Sequence, residues 1–259
     1  MELDLDGAPA FEGQLVLITG ATGDLGRVMV RSFAASGADV AIHYLRNEQM
    51  AEQMRQEVVD LGRRAIVVQA DITKRDQVNA MRDTVLAQTG VPDIVVNNAV
   101  VQYDWTTILE QPDEDFVSQF DSCVMHNVYM AKAFIPGMID RGSGRFIGIN
   151  TECAMLANTE SGAYVAAKRG MDGIYRVLAK EVGRYGITVN QVAPGWTVSD
   201  RDRNSGSEHQ PEHEATIPLA RRGTDQEVAN AVLFLASDLA SYVTGTYLPV
   251  AGGTVTPAI

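Results

Sequence analysis

The sequence predicts a doubly wound α/β fold, one parallel sheet with helices packed on both faces. Three observations carry that prediction: six short runs rich in Val and Ile, intervening segments with apolar residues at helical spacing, and a glycine-rich turn at the first strand-to-helix junction. At 259 residues the chain suits a single such domain, expected to span 1–259. Its composition, 46% hydrophobic and 21% charged, is that of an ordinary folded protein.

The strands come in order as QLVLIT (14–19), ADVAIHY (38–44), AIVVQA (65–70), DIVVNN (93–98), RFIGIN (145–150) and ITVNQV (187–192). Each reads as a strand covered on both faces. Helical stripes fill the connections: Met50, Met54, Val58 and Leu61 fall on one face, as do Val78, Met81, Val85 and Leu86. Pro112 precedes Asp113, Glu114 and Asp115, a helix start where proline forfeits no useful donor and carboxylates meet the positive dipole end. Such alternation gives right-handed βαβ units, and ligands bind beyond the carboxyl ends of the strands. One stretch breaks the regularity. SDRDRNSGSEHQPEHEAT (199–216) is polar, lacks an apolar period and contains Gly206 and Pro211. It reads as a mobile loop and, with its flanks at about 196–222, as a substrate lid.

The 33 acidic residues against 21 basic ones leave a net charge of −12, which repels nucleic acid phosphates and anionic lipid headgroups. No nucleic acid and no membrane partner is expected. The opening MELDLDGAPAFEGQ lacks the basic and apolar segments of a secretory signal, and no apolar run reaches membrane-spanning length, so a cytoplasmic location is expected. Cys123 and Cys153 belong to no CxxC pair and read as free thiols. His126 has no ligand-spaced partner, and His209 with His213 would bind zinc only if their loop were helical, so no metal is expected.

In TGATGDLGRVMV, Gly20, Gly23 and Gly26 stand three apart where the first strand meets its helix. Glycines there permit a tight turn, close approach of the main chain to a pyrophosphate and dense helix-to-strand packing, the mark of a Rossmann-like dinucleotide site. The second strand ends in His43, Tyr44, Leu45 and Arg46, with no acid to bond ribose hydroxyls. Arg46, helped by His43, would pair with a 2'-phosphate, which favours NADP(H) and keeps NAD(H) as the alternative. Downstream, Tyr164 and Lys168 stand at i and i+4 on a helix rich in small residues, which places the ammonium near the phenol. A neighbouring cation favours phenolate and would make Tyr164 a usable proton donor and acceptor.

Together TGATGDLG, ADIT (70–73), NNA (97–99), Asn127, Tyr164 with Lys168, VNQVAPG (189–195) and the segment from IPLARRG to VAGG resemble the classical short-chain dehydrogenase/reductase family, from about Gln14 to Gly253. The resemblance implies that Tyr164 transfers the proton, Lys168 holds the nicotinamide ribose and tunes Tyr164, Thr151 hydrogen bonds the substrate carbonyl, and Asn127 supports a proton-relay water. It also implies a dinucleotide held along Gly20, Gly23, Asp24, Leu25 and Gly26, with Tyr44 and Arg46 at the second strand and Asp71 and Ile72 at the adenine. Asn97, Asn98 and Ala99 would line the cofactor, and Pro194, Gly195, Thr197 and Ser199 would sit near the nicotinamide amide. Three residues depart from the family pattern: Asp24 replaces a glycine, Val100 follows NNA where glycine is usual, and Thr151 replaces serine.

The function expected is NADP(H)-dependent interconversion of a ketone and a secondary alcohol on a small organic substrate, in a homotetramer after the family's habit. Two alternatives stand beside it. One is a 3-oxoacyl-carrier-protein reductase, for which Arg141, Arg169 and Lys180 would have to gather into a docking patch. The other is a dinucleotide-binding regulatory protein without catalysis.

Overall fold

A computed structural model describes residues 10–256, so most of the acidic opening segment lies outside the described residues. Seven strands form one sheet: β1 (Leu15–Ile18), β2 (Asp39–Tyr44), β3 (Ala65–Gln69), β4 (Ile94–Asn97), β5 (Gly144–Ile149), β6 (Ile187–Pro194) and β7 (Tyr247–Val250). Their order is β3-β2-β1-β4-β5-β6-β7 and every pairing is parallel. The order reverses between β1 and β4, which opens a crevice at their carboxyl ends.

The sequence reading accounts for six of these strands. The seventh, YLPV, is only four residues long, and Pro249 within it is tolerated because β7 lies at the sheet's edge.

The helices are α1 (Asp24–Ala35), α2 (Glu48–Asp60), α3 (Arg75–Thr89), α4 (Asp113–Phe120), α5 (His126–Arg141), α6 (Cys153–Leu156), α7 (Gly162–Val182), α8 (Asp200–Ser205), α9 (Pro211–Glu214) and α10 (Asp225–Ala236). One core packs Met29, Val30 and Phe33 of α1, Met54 and Val58 of α2, and Val232 and Leu233 of α10 on one face of the sheet. The other packs Val78, Met81 and Val85 of α3, Met130 and Phe134 of α5, and Met171 and Tyr175 of α7 on the opposite face. Leu61 and Leu86 depart from the expected stripes. Both are exposed, Leu61 because α2 has ended and the chain turns away at that residue.

Helix starts follow local chemistry. Asn47 accepts from the Met50 amide, and Thr224 with Glu227 forms a capping box at α10. The stretch 199–216 is not the structureless loop expected. Ser199 and Asp202 form a capping box that starts α8, and Pro211 opens α9. Short capped helices of this kind need no apolar stripe, which is why hydrophobic periodicity does not reveal them. No helix among the described residues is long and apolar enough to cross a membrane.

Candidate active site

The chain leaves β1 and turns at Gly20, whose φ of +64° suits glycine and where a Cβ would stand 2.9 Å from Ala99 Cα. Gly26 is tighter still: its Cβ would lie 2.2 Å from Gly20 O. These contacts press the start of α1 against the end of β1. Gly23 precedes α1 and no side chain caps the helix, so its first-turn amides, at Asp24, Leu25 and Gly26, remain open to an anion. The Asp24 carboxylate bonds Arg27 Nη2 at 2.8 Å. Arg27 in turn bonds Thr22 O and, at 2.7 Å, Asp200 on α8. Asp24 therefore enters the turn as half of an ion pair and not as a bare charge.

His43 is a correction to the phosphate-binding role expected of it. The ring is buried, its Nδ1 accepts from the Gly20 amide at 2.9 Å, and its Nε2 lies 2.9 Å from Ala70 O. Those partners fix a neutral tautomer with the proton on Nε2, and burial holds the pKa down at about 4. It braces the turn and cannot reach a ligand. Arg46 is exposed just beyond β2, while Tyr44 and Ile72 are buried.

At the switch point Thr19 Oγ1 accepts from the Asn98 and Ala99 amides, and Asn98 Nδ2 donates to Thr19 O and Gly20 O. Asn97 does not line the crevice with its side chain, as had been expected. It is buried, and its Nδ2 donates to the Tyr175 hydroxyl at 2.9 Å. Asp71 Oδ1 accepts from the amide and hydroxyl of Thr73, which stiffens the turn after β3.

Thr151, Tyr164 and Lys168 meet beyond the end of β5. The Thr151 amide donates to Asn150 Oδ1 at 2.9 Å, its carbonyl accepts from the Tyr247 hydroxyl, and its own hydroxyl accepts from the Cys153 amide at 3.2 Å. Lys168 Nζ donates to Ile149 O at 2.6 Å and lies 5.6 Å from the centre of the Tyr164 ring. The Lys168 cation was expected to lower the Tyr164 pKa. Burial instead pushes the Tyr164 phenol well above its usual value, with the Thr151 hydroxyl acting the other way, and burial lowers the pKa of Lys168. Desolvation dominates both shifts because the phenol and the ammonium are enclosed.

Asn127 follows a π-helical turn, Asp121–Met125, that joins α4 to α5. Its side chain donates to Cys123 O and accepts from the Tyr175 hydroxyl, both at 2.6 Å. The chain Asn97–Tyr175–Asn127 therefore ties β4, α7 and α5 together behind the site. Tyr175 is a residue the sequence reading missed, although it shares a helix face with Lys168 at i+7.

After β6, Pro194 O accepts from the Glu152 amide and the Gly195 amide donates to Val250 O. The Ser199 hydroxyl, expected near the nicotinamide amide, is occupied in capping α8 through Asp202. Thr197 O accepts from the buried Arg222. Of the two histidines considered for zinc, only His213 is helical, and it packs on Trp196 with ring centres 4.7 Å apart.

A cavity of about 510 Å³ opens beside Tyr164 and Thr151. Its walls include Tyr103 and Trp105 after β4, Glu152 and Asn158 after β5, and Trp196 and His213 after β6. None of these six was singled out from the sequence as a pocket residue, and only the clustering of aromatic residues beside the family motifs hinted at them.

Comparison with known proteins places this geometry. A family model described as enoyl-(acyl carrier protein) reductase matches residues 20–255. The chain is 34% identical over 237 residues to the 3-oxoacyl-[acyl-carrier-protein] reductase FabG of Staphylococcus aureus, covering 92% of this chain and 96% of that protein. It is 35% identical over 247 residues to the 3-oxoacyl-[acyl-carrier-protein] reductase of a Synechocystis species, covering 95% and 98%. A crystal structure of the acetoin dehydrogenase YohF of Salmonella typhimurium superposes with a TM-score of 0.84 at 27% identity, covering 93% of this chain and 96% of that one. The chain belongs to the short-chain dehydrogenase/reductase family. Within it, this protein is an NAD(P)-dependent dehydrogenase/reductase acting on CH–OH groups.

Proposed function

We propose that the enzyme interconverts a ketone and a secondary alcohol on a small free substrate, with NADP(H) as its preferred cofactor. The observation that carries this reading is the meeting of Tyr164 and Thr151 on the wall of one cavity, with Lys168 packed behind the phenol. The residues fit a dinucleotide: α1 starts uncapped at a glycine turn, and Asp24 is held by Arg27. Gly20, Gly23, Leu25 and Gly26 would hold the pyrophosphate, Arg46 the 2'-phosphate, and Asp71, Asn98, Ala99, Pro194, Gly195 and Thr197 the remaining length. When bound, the nicotinamide exchanges hydride with the carbinol carbon.

The protein's own part is orientation and proton transfer. Thr151 donates its hydroxyl proton to the substrate oxygen, which can only accept, while the Cys153 amide holds the hydroxyl oxygen in place. Tyr164 gives its proton to that oxygen in reduction. Burial keeps the phenol protonated, the form a proton donor needs. Lys168 packs against Tyr164, and Asn127, anchored by Tyr175 of the same helix as Tyr164, would support the proton relay behind it.

The carrier-protein reading has the names of the FabG relatives in its favour. Against it, the cavity wall has no Lys or Arg, and Arg141 is bound to Val91 O, Pro92 O and Asp93 at the sheet's amino edge, far from the site's side. Purified protein should oxidise NADPH with a ketone from a broad panel, and Tyr164→Phe should lower kcat by about a thousandfold while leaving NADPH affinity within threefold. Faster turnover on an acyl-carrier substrate than on its free analogue, falling with salt, would move the assignment to the carrier protein.

A further inference from the structure

The cavity wall has an imbalance of hydrogen-bonding groups. Three residues of the wall each carry a buried side-chain atom that has no partner among the described residues: Glu152 Oε2, Gln119 Oε1 and His213 Nε2. Gln119 Nε2 donates to Val101 O, which turns its oxygen toward an unmet position. Glu152 is 6% exposed, and its other oxygen accepts from the Trp196 amide at 3.1 Å, so Oε2 is held in place. Gly195 packs beside it: a Cβ there would come within 3.1 Å of both Oε2 and Ala251 Cα, so only glycine leaves the carboxylate its position.

Gln119 Oε1 is an obligate acceptor, Glu152 Oε2 accepts when the carboxyl is ionised, and His213 Nε2 accepts when its ring proton is on Nδ1. A buried acceptor without a donor is costly, and a buried carboxylate more so. Aromatic faces line the side of the wall formed after β4. Trp105 packs against Tyr164 at 5.7 Å between ring centres and against Tyr103 at 6.2 Å, which sets aromatic faces beside the reacting hydroxyl. Glu152 is the single carboxylate among the described wall residues, none of which is Lys or Arg. The net charge of −12 also draws cations from solution.

We propose that the substrate carries an ammonium group close to the reacting carbon, paired with the Glu152 carboxylate and flanked by Trp105 and Tyr103. This rests on the ketone–alcohol reading of the same site and names the substrate class within it. Burial pushes the Glu152 carboxyl above its usual range, and a bound cation restores its charge.

The chain's two tryptophans, Trp105 and Trp196, both line the cavity, so intrinsic fluorescence reports its occupancy without turnover. The probes are aminopropan-2-ol, protonated at neutral pH, with its carbon isostere butan-2-ol and its hydroxyl isostere propane-1,2-diol. The ammonium compound should bind about tenfold more tightly than either neutral one. Glu152→Gln, which keeps the acceptor for the Trp196 amide, should erase that preference and leave NADPH affinity unchanged. Equal binding of all three probes, a diol as tight as the amine, or a preference that survives Glu152→Gln would overturn the proposal. So would a Glu152→Gln loss confined to NADPH binding, which would assign Oε2 to the cofactor. Charge-selective binding with no turnover of any carbonyl would leave the ammonium site standing and remove the ketone–alcohol reading. Turnover of neutral ketones without charge selectivity would do the reverse.

Discussion

The crevice between β1 and β4 and the cavity beside Tyr164 are neighbours built in different ways. In the crevice the main chain is the binding surface, supported by bonds from the neighbouring strands and by close packing: His43 on the Gly20 amide, Asn98 on Thr19 O and Gly20 O, and Gly26 pressed against Gly20 O. In the cavity the surface is side chains, delivered by the segments after β4, β5 and β6 and by α4 and α7. A surface made of main chain constrains which residues can occupy it, because only glycine fits where a Cβ would collide. A surface made of side chains constrains only which atoms face inward, and many residues can supply those.

The largest test of this contrast is acid lability of the crevice. His43 is held near pKa about 4 against an ordinary value of 6.5. Above about pH 6.5 the ring is neutral in both folded and unfolded chains and its stabilisation is fully present. As pH falls from there toward 4 the unfolded chain takes up a proton that the folded protein refuses, and about 3 kcal/mol is lost. Urea unfolding across this window should show that loss, and His43→Gln, which cannot titrate, should be less stable at neutral pH with a flatter profile. His126, buried and held at about 3 in part by its proximity to His43, also titrates in this direction, so the same pair of curves measured in a His126→Gln background isolates His43. Identical slopes would mean that His43 does not support the turn.

A smaller effect is expected at the crevice's far end. Arg46→Ala should weaken NADPH binding about tenfold, the scale of one charge-assisted contact with phosphate, and leave NADH binding unchanged. Equal losses for the two cofactors would deny Arg46 a role in reading the 2'-phosphate. This would also sharpen the division between main-chain binding of the pyrophosphate and side-chain choice of the cofactor.

The same contrast explains what the sequence revealed. The sheet, the glycine turn and the Tyr164–Lys168 pair were legible because periodicity, backbone space and i, i+4 spacing each leave a residue pattern. His43 was misread as a phosphate ligand because nothing local shows that its ring turns inward to Gly20 and Ala70. Asn97 was misread for the same reason, since its partner Tyr175 is 78 residues away. Glu152 left no pattern. Its significance depends on an oxygen that finds no donor after three loops have closed around it. Ser199 and Asp202 form a capping signature at i and i+3, and the uniformly polar composition around them masks it.

Thr151 sits where the two regions meet, and the smallest expected effect belongs to it. A β-branched residue is stiff at χ1, so its hydroxyl is useful only if the local structure selects the right rotamer. Here the selection is made by neighbours: Asn150 Oδ1 and the Tyr247 hydroxyl fix the main chain, and the Cys153 amide fixes the hydroxyl oxygen. A serine at this position would find the same three partners and adopt the same rotamer. Thr151→Ser should therefore change kcat/KM by less than about threefold, under 1 kcal/mol of transition-state stabilisation. A change of tenfold or more, measured with the same ketone and cofactor, would show that the threonine methyl shapes the cavity and that the residue belongs with the side-chain wall and not with the fixed main-chain frame.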